Sequence, residues 1–167
     1  EDGATINIIK AFSELDKTTY LTEDTTTIKV PENGSVFIPE FKSGSTLNSI
    51  DLVVKTTGST VALQHNAKTD DVNYIFGNIN AVSTKGVVTL EGDVDYKIPA
   101  NANVYVVDRR QKEKNRVSVE DINYLEYDED EKEWTDGTND KVTSYVMFAR
   151  EVDSKITDVV LYVNYTK

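Results

Sequence analysis

The residues of this chain that could do chemistry are a single histidine and an unusual concentration of carboxylates. His65 is the only histidine, and an imidazole can in principle act as a general base. No Gly-x-Ser-x-Gly motif accompanies it, the eight glycines are dispersed among turns, and cysteine is absent. With 29 Asp and Glu residues, nothing in the spacing selects a carboxylate pair for glycoside hydrolysis. The sequence therefore predicts a protein that is not an enzyme, with no catalytic residue and no cofactor-binding residue.

Most of the acidic charge lies in one segment. From Glu120 to Asp140 the chain has ten acidic residues and one basic residue, Lys132, which gives −9 of the net charge of −11. Ca²⁺ takes hard oxygen donors, and four aspartates here could supply them: Asp128, Asp130, Asp136 and Asp140. An EF-hand loop starting at Asp128 fails, because it places Lys132 at a ligand position and Asn139 where glutamate is required. Calcium stays an open alternative, and no metal ligand is assigned.

A basic run precedes the acidic segment. Residues 108–116 contain five cationic side chains, against two acidic ones: Arg109, Arg110, Lys112, Lys114 and Arg116. The favoured interpretation is a solvated hairpin whose basic and acidic arms face each other, with each opposite-charge pair contributing about 0.2–1 kcal/mol. Five cations beside nine net negative charges attract phosphate poorly, which argues against a nucleic-acid partner.

The elements that must position these groups are predicted to be strands. Valine and threonine supply 21 and 19 residues, whereas alanine and leucine supply eight each, a bias that favours pleated, half-buried surfaces. Alternation of apolar and polar residues predicts strands at about 5–12, 26–30, 35–41, 47–55, 60–65, 73–82, 87–90, 94–98, 103–107, 144–151 and 156–165. Only one short helical turn is predicted, where Ser118 and Asp121 resemble a capping box and Val119, Ile122 and Leu125 recur at helical spacing. A weaker turn is predicted at 13–16.

An internal repeat is the most informative pattern. Residues 20–30 align with 96–106 at an offset of 76, and residues 47–54 align with 156–163 at an offset of 109. The larger offset indicates an insertion of about 33 residues in the second copy. The sequence therefore predicts two related small β-barrel or sandwich-like units, at 1–66 and 73–167. The second unit carries a charged insertion at about 109–143.

Length and composition limit the class of protein. The 167 residues, 38% of them hydrophobic, suffice for one domain or two small ones. No apolar run approaches the roughly 20 residues of a membrane span, and the acidic balance argues against anionic membranes as partners. The start at Glu1, without Met or a signal-like stretch, indicates a fragment of a longer protein.

Several stretches of the second unit resemble a known family. Tyr74-Ile75-Phe76-Gly77, the strand at 104–108, the turn at 118–122 and the final strand at 153–163 resemble the β-rich modules of bacterial S-layer and S-layer-homology cell-surface proteins, mostly from Clostridia-like Gram-positive bacteria. The resemblance covers nearly all the second unit and, more faintly, residues 37–63. It implies an extracellular, non-catalytic module and supplies no site residues. Two features depart from the family pattern, namely the longer acidic insertion and the absence of an anchoring repeat.

The function that these observations predict is that of a structural or interaction module of a secreted bacterial cell-surface protein, a spacer or assembly unit. Its partners would be neighbouring modules or copies of the same protein, and cell-wall polysaccharide is a further candidate. The alternative is a carbohydrate-binding module, with Trp134 and three tyrosines as a stacking platform: Tyr105, Tyr124 and Tyr127. Packing against the second unit is the competing interpretation of Trp134.

Overall fold

The protein is all-β, with no helix in the part of the chain that the structure describes. The computed structural model describes residues 7–13, 16–22, 31–43, 46–83, 86–110, 115–117, 125–128, 130–131, 133–136, 141–142 and 144–167. The chain divides into two compact units, Glu1–Thr56 and Thr57–Lys167. Within the described ranges, no helix has the length and hydropathy needed to cross a membrane.

The first unit is built on four strands in the spatial order β1-β2-β4-β3. They are β1 (Asn7–Ser13), β2 (Asp16–Thr22), β3 (Val36–Ser43) and β4 (Thr46–Thr57). β1 and β2 are antiparallel, β2 and β4 are parallel with Leu21 opposite Thr46, and β3 and β4 are antiparallel. Pro39 lies on β3, at the end of this order, a position that tolerates a residue without a backbone N–H.

The turn that leads into β3 is held by one buried threonine. Thr56 is 1% exposed, and its hydroxyl donates to the Asn33 carbonyl at 2.9 Å. The Thr56 N–H donates to the Ser35 hydroxyl at 3.2 Å. Gly34 has φ 94°, a conformation that costs glycine little. These bonds fasten the turn predicted at 31–34 to the far end of β4.

The second unit contains the remaining eleven strands that the structure describes. They are β5 (Thr60–Leu63), β6 (Val72–Val82), β7 (Val87–Leu90), β8 (Val94–Lys97), β9 (Asn103–Asp108), β10 (Asn115–Val117), β11 (Leu125–Asp128), β12 (Glu133–Asp136), β13 (Lys141–Val142), β14 (Tyr145–Val152) and β15 (Lys155–Val163). Seven of them form one sheet in the order β10-β9-β15-β14-β6-β7-β8, and β11-β12-β13 form a separate sheet.

The hairpin of β14 and β15 is the centre of the large sheet. Every residue from 145 to 149 is buried, so both faces of β14 are covered. One face contributes Tyr145, Met147 and Ala149 to the main core, together with Val159 and Leu161 of β15. On the opposite face Phe148 is buried, and its ring lies 5.5 Å from that of Tyr74. Burial on both faces explains the continuous apolar runs of these strands.

The large sheet bends so that its two ends share one core. β6 pairs with β14 over residues 72–78 and with β7 over 79–82, with a register shift between Ile79 and Ala81. Val88 and Leu90 of β7 belong to the same core cluster as Val104 and Val106 of β9, although β7 and β9 are four positions apart in the sheet.

A parallel bridge closes the second unit near its two ends. Thr60 pairs with Thr166 in parallel. The Val61 N–H donates to the Thr166 carbonyl at 2.9 Å, and the Thr166 N–H donates to the Ser59 carbonyl at 3.0 Å.

Both units contain the same succession of strand pairings. The order β1-β2-β4-β3 is antiparallel, parallel, antiparallel, and so is β10-β9-β15-β14. Val36 pairs with Val54 in the first hairpin, and Tyr145 pairs with Val163 in the second. These two pairs are related by the offset of 109 seen in the sequence. Chain order differs at the outer strand, because β1 precedes β2 whereas β10 follows β9.

Several expectations from the sequence can be compared with this fold. The all-β class is confirmed. The expected hairpin between basic and acidic arms is wrong for residues 115–117, because β10 pairs with β9 and places Arg116 opposite Tyr105. Leu125 begins β11, while the rest of the predicted helical turn, 118–124, and the predicted strand at 26–30 lie outside the described residues. The second, weaker helical turn is predicted at 13–16. In the structure Ser13 is the last residue of β1 and Asp16 is the first residue of β2.

Replacing Met147 with alanine should lower the free energy of unfolding by about 2–5 kcal/mol, because it leaves a cavity in the core. Met147 is 0% exposed and lies on the central strand of the sheet. Urea denaturation followed by far-UV circular dichroism measures the change. The matched control is Val94→Ala at a side chain that is 48% exposed, which should cost less than about 0.5 kcal/mol. Equal losses in the two variants would contradict the assignment of the core.

Candidate functional surfaces: the open edge of β6 and the inserted strands

The His65 side chain contacts a backbone carbonyl and a neighbouring aromatic ring. Its Nδ1 is 2.7 Å from the carbonyl oxygen of Asn66, which fits an Nδ1–H donor. Its ring centroid lies 6.3 Å from that of Tyr74. These contacts orient the imidazole against the neighbouring strand β6.

The aspartates considered for calcium are distributed along the hairpin of β11 and β12. Asp128 pairs with Glu133 at one end, and Asp136 pairs with Leu125 at the other. Three residue steps separate these pairs, which is about 10 Å along the strands. Asp130 is exposed between the two strands, and Asp140 lies outside the described residues. No group of three or more potential metal-ligating side chains occurs among the residues that the structure describes.

An ion pair between buried Asp108 and exposed Arg110 lies at the end of β9, where the insertion begins. Asp108 is 4% exposed and accepts from Arg110 through Nη2 at 2.8 Å and Nε at 3.1 Å. The amide of Asn164 donates to the same carboxylate at 3.4 Å. Burial raises the pKa of Asp108, but the hydrogen bonds and charge of Arg110 outweigh it, and the pKa lies below its usual value.

The neighbouring arginine completes this junction. The Arg109 N–H donates to the Val163 carbonyl at 3.1 Å, and its Nε donates to the Asn164 carbonyl at 2.9 Å. Asn164 has φ 61°, a left-handed conformation that asparagine tolerates better than most residues. All of these contacts join the end of β9 to the end of β15. The basic residues Arg109 and Arg110 are therefore used to anchor the chain.

The open edge of β6 forms one wall of a groove. Over residues 72–78 β6 pairs with β14, and its pairing with β7 begins only at Ile79. A groove of about 310 Å³ lies beside the stretch 73–77, and its other wall is the β7–β8 hairpin. The residues of that second wall are Leu90, Glu91, Val94 and Tyr96. We call this groove the β6 notch.

The β6 notch ends where Gly77 of β6 lies close to Leu90 of β7. A Cβ atom at Gly77 would lie 3.3 Å from Leu90 Cδ1, so glycine lets β7 approach β6 here. The Glu91 N–H then donates to the Asn78 carbonyl at 2.9 Å. The Asn78 amide donates to the Glu91 carboxylate, also at 2.9 Å. β7 ends at Leu90 and the chain turns into β8, so residues 73–77 of β6 lie beyond the β6–β7 pairing and border the notch.

The aromatic residues proposed as a stacking platform are only partly brought together. Tyr127 and Trp134 are direct register partners in the β11–β12 hairpin. Tyr105 lies on β9 of the large sheet, opposite Val160. Tyr124 lies outside the described residues.

Sequence reasoning did not identify the β6 notch. One signal for it was present, since the predicted strand at 73–82 is ten residues long and its predicted neighbour at 87–90 has only four. A strand that outruns its hairpin partner exposes part of one edge unless a further strand covers it. Gly77 in the middle of a strand pattern is a second signal, because it indicates close approach of another backbone.

No family model, curated protein or solved structure matches this chain. The structure describes an all-β protein of two compact units. One strand edge of the second unit is open, and charged strands are inserted in that unit.

Replacing Asp108 with asparagine should destabilise the second unit and reduce its sensitivity to acid. At pH 7 the loss should be about 1–3 kcal/mol, because the hydrogen bonds of Arg110 to the buried side chain at position 108 lose their charged acceptor. The pKa of Asp108 is lowered in the folded state. Its contribution is therefore full above the unfolded value of about 3.9 and is lost as the pH falls through the lower folded value.

Urea titrations at a series of pH values between about 6 and 2 measure this effect. The difference between the wild type and Asp108→Asn should shrink as the pH falls. Asp93→Asn, in an exposed turn, is the control with the same change of charge. A difference that is independent of pH would contradict the assigned role of the carboxylate.

Proposed function

We propose that this chain is a non-catalytic structural module of a secreted bacterial cell-surface protein of the S-layer type, which extends, spaces or assembles its parent polypeptide. The observation that carries the proposal is the shared succession of antiparallel, parallel and antiparallel pairings in the two units. Successive units of similar build are typical of chains whose task is to span distance and present surfaces.

The proposal also includes the form of each β unit. Each unit would be a small barrel-like or sandwich-like β body, and the second would carry a short helical turn in its insertion. In the second unit this is supported by the core that residues of β7 share with residues of β9. A sheet that bends enough to bury one face against itself approaches a sandwich or an incomplete barrel.

The partners in this proposal are neighbouring modules or copies of the same surface protein. Strand edges and the acidic inserted strands are the surfaces that would meet them. The net charge of −11 makes nucleic acid and anionic lipid unfavourable partners by comparison.

Antibodies raised against the purified chain should label intact cells of the bacterium that produces it. Immunogold electron microscopy of unpermeabilised cells measures this labelling, and an antibody against a cytoplasmic protein is the negative control. Brief protease treatment of whole cells should remove the signal. Labelling that appears only after permeabilisation would contradict the proposal.

A second candidate function, carbohydrate binding, is favoured by one observation. Tyr127 and Trp134 are direct partners in the antiparallel hairpin β11–β12, and Cβ atoms of such partners lie about 4.5–5.5 Å apart. The cell-wall polysaccharide of the producing bacterium is the ligand to try first.

Trp134→Ala should weaken binding to purified cell-wall polysaccharide by up to about tenfold, if this platform stacks on sugar rings. Trp134→Phe should keep most of the affinity, because it retains an aromatic face. Affinity electrophoresis in gels containing the polysaccharide measures both variants against the wild type. Equal retardation of the wild type and Trp134→Ala would contradict the carbohydrate function.

A further inference from the structure

We propose that Asn33 is a site of spontaneous deamidation and isomerisation, and that the hydrogen bonds of Thr56 keep this reaction slow in the folded chain. The reagents are water and the backbone of the chain itself, so the reaction needs no partner protein. This inference concerns the first unit and goes beyond the assembly role proposed above, on which it does not depend.

The reacting groups are supplied by the order of two residues. Asn33 is followed by Gly34, and glycine has no side chain that would hinder its backbone nitrogen. After hydroxide removes its proton, that nitrogen attacks the side-chain carbonyl carbon, Cγ, of Asn33. An N–Cγ bond forms, the Cγ–Nδ2 bond breaks, and the side-chain nitrogen takes a proton from water and leaves as ammonia. Water then opens the succinimide ring at one of its two carbonyls, which gives aspartate or isoaspartate.

Asn33 and Gly34 are the central residues of a tight turn. The Ser35 N–H donates to the Glu32 carbonyl at 3.1 Å. Gly34 has φ 94°, whereas the φ of Asn33 is negative. These features define a type II turn, in which ψ of the first central residue is about +120°. Asn33 is exposed and Gly34 is buried, so the turn also limits the access of hydroxide to the Gly34 N–H.

The type II turn holds the reacting atoms apart. The planar succinimide ring needs the Gly34 nitrogen in the plane of Cα, Cβ and Cγ of Asn33. At ψ of about +120° the nitrogen lies well out of that plane. Asn33 must therefore rotate about its Cα–C bond before the ring can close, and this rotation turns its carbonyl oxygen away from its present partner.

That partner is Thr56, which opposes the rotation. Thr56 is 1% exposed, and its hydroxyl donates to the Asn33 carbonyl at 2.9 Å. Its N–H donates to the Ser35 hydroxyl at 3.2 Å, and the two hydroxyl oxygens lie 3.1 Å apart. Breaking hydrogen bonds of a buried group is costly, so the turn opens only as a rare local fluctuation. The rate of deamidation then depends on the fraction of chains in which the turn is open.

Isoaspartate at position 33 changes the connection into β3. The backbone then runs through Cβ and Cγ of that residue, which adds a methylene group to the chain. The former α-carbonyl, which accepts from Thr56 in the unmodified chain, becomes a carboxylate. The modification therefore loosens the link between the turn and the far end of β4.

The test incubates the whole chain at mildly alkaline pH and follows residue 33 by peptide mapping with mass spectrometry. Labelling with protein isoaspartyl methyltransferase identifies the isoaspartate product. In the native chain residue 33 should be modified faster than Asn101, which lies in another exposed turn but is followed by Ala102. In guanidinium chloride, which removes the turn, the rate at residue 33 should rise at least about fivefold.

Two variants test the role of the hydrogen bonds, and each native rate is divided by the rate of the same variant in guanidinium chloride. Thr56→Val should raise this ratio about five- to thirtyfold, as expected for the loss of a buried hydrogen bond. Ser35→Ala keeps Thr56 and should raise it less. The matched control is Thr89→Val, which removes a hydroxyl bonded to Asp95 in the second unit and should leave the ratio unchanged. Hydrogen exchange of the β4 amides shows whether the first unit stays folded, and Ser35→Ala decides if Thr56→Val unfolds it.

Three results would overturn the proposal. Equal modification of residue 33 and Asn101 in the native chain would remove the site. Equal rates in the native and denatured wild type would show that the turn gives no protection. A ratio that neither Thr56→Val nor Ser35→Ala raises would show that these hydrogen bonds do not control the reaction.

Discussion

The parallel pairing of β9 with β15 is the constraint on which the second unit depends. Parallel neighbours cannot be joined by a tight turn, so the chain needs a long connection that returns it to the opposite end of the sheet. Here that connection contains β10 to β14, including the acidic segment. The Asp108–Arg110 pair fixes the point of departure and ties it to Asn164 at the end of β15. In the first unit the parallel pair β2 and β4 imposes the same crossing with a shorter connection. An insertion in this connection lengthens the chain outside the sheet and leaves the strand pairing intact.

The burial of β14 and β15 on both faces determines where contacts with other molecules can occur. With residues 145–149 fully covered, the centre of the sheet is scaffold. Interaction surfaces are then left to strand edges and loops, which a rigid sheet holds in place. The β6 notch is such an edge, and its geometry follows from the bend that lets β7 share a core with β9. The core and the candidate site are thus two results of the same bend.

The sequence predicted those parts of the fold that depend on local pattern. Strands β6, β7, β9, β14 and β15 were placed to within two residues, because buried valines and isoleucines alternate or run continuously there. Strands β11 to β13 were missed, because their many charged residues hide the alternation of apolar and polar side chains that indicates a strand. Which strands become neighbours is a tertiary property, so the pairing of β10 with β9 could not be derived from charge. The β6 notch depends on this pairing too, and only the unequal strand lengths and Gly77 pointed to it.

The bridge between Thr60 and Thr166 has a mechanical consequence. Because the two segments run in parallel, tension applied to the ends of the second unit pulls them in opposite directions along a common axis. The bonds from Val61 to Thr166 and from Thr166 to Ser59 are then strained together in shear, and cannot open one after another like a zipper. Opening this closure by tension therefore requires both hydrogen bonds to be strained at the same time.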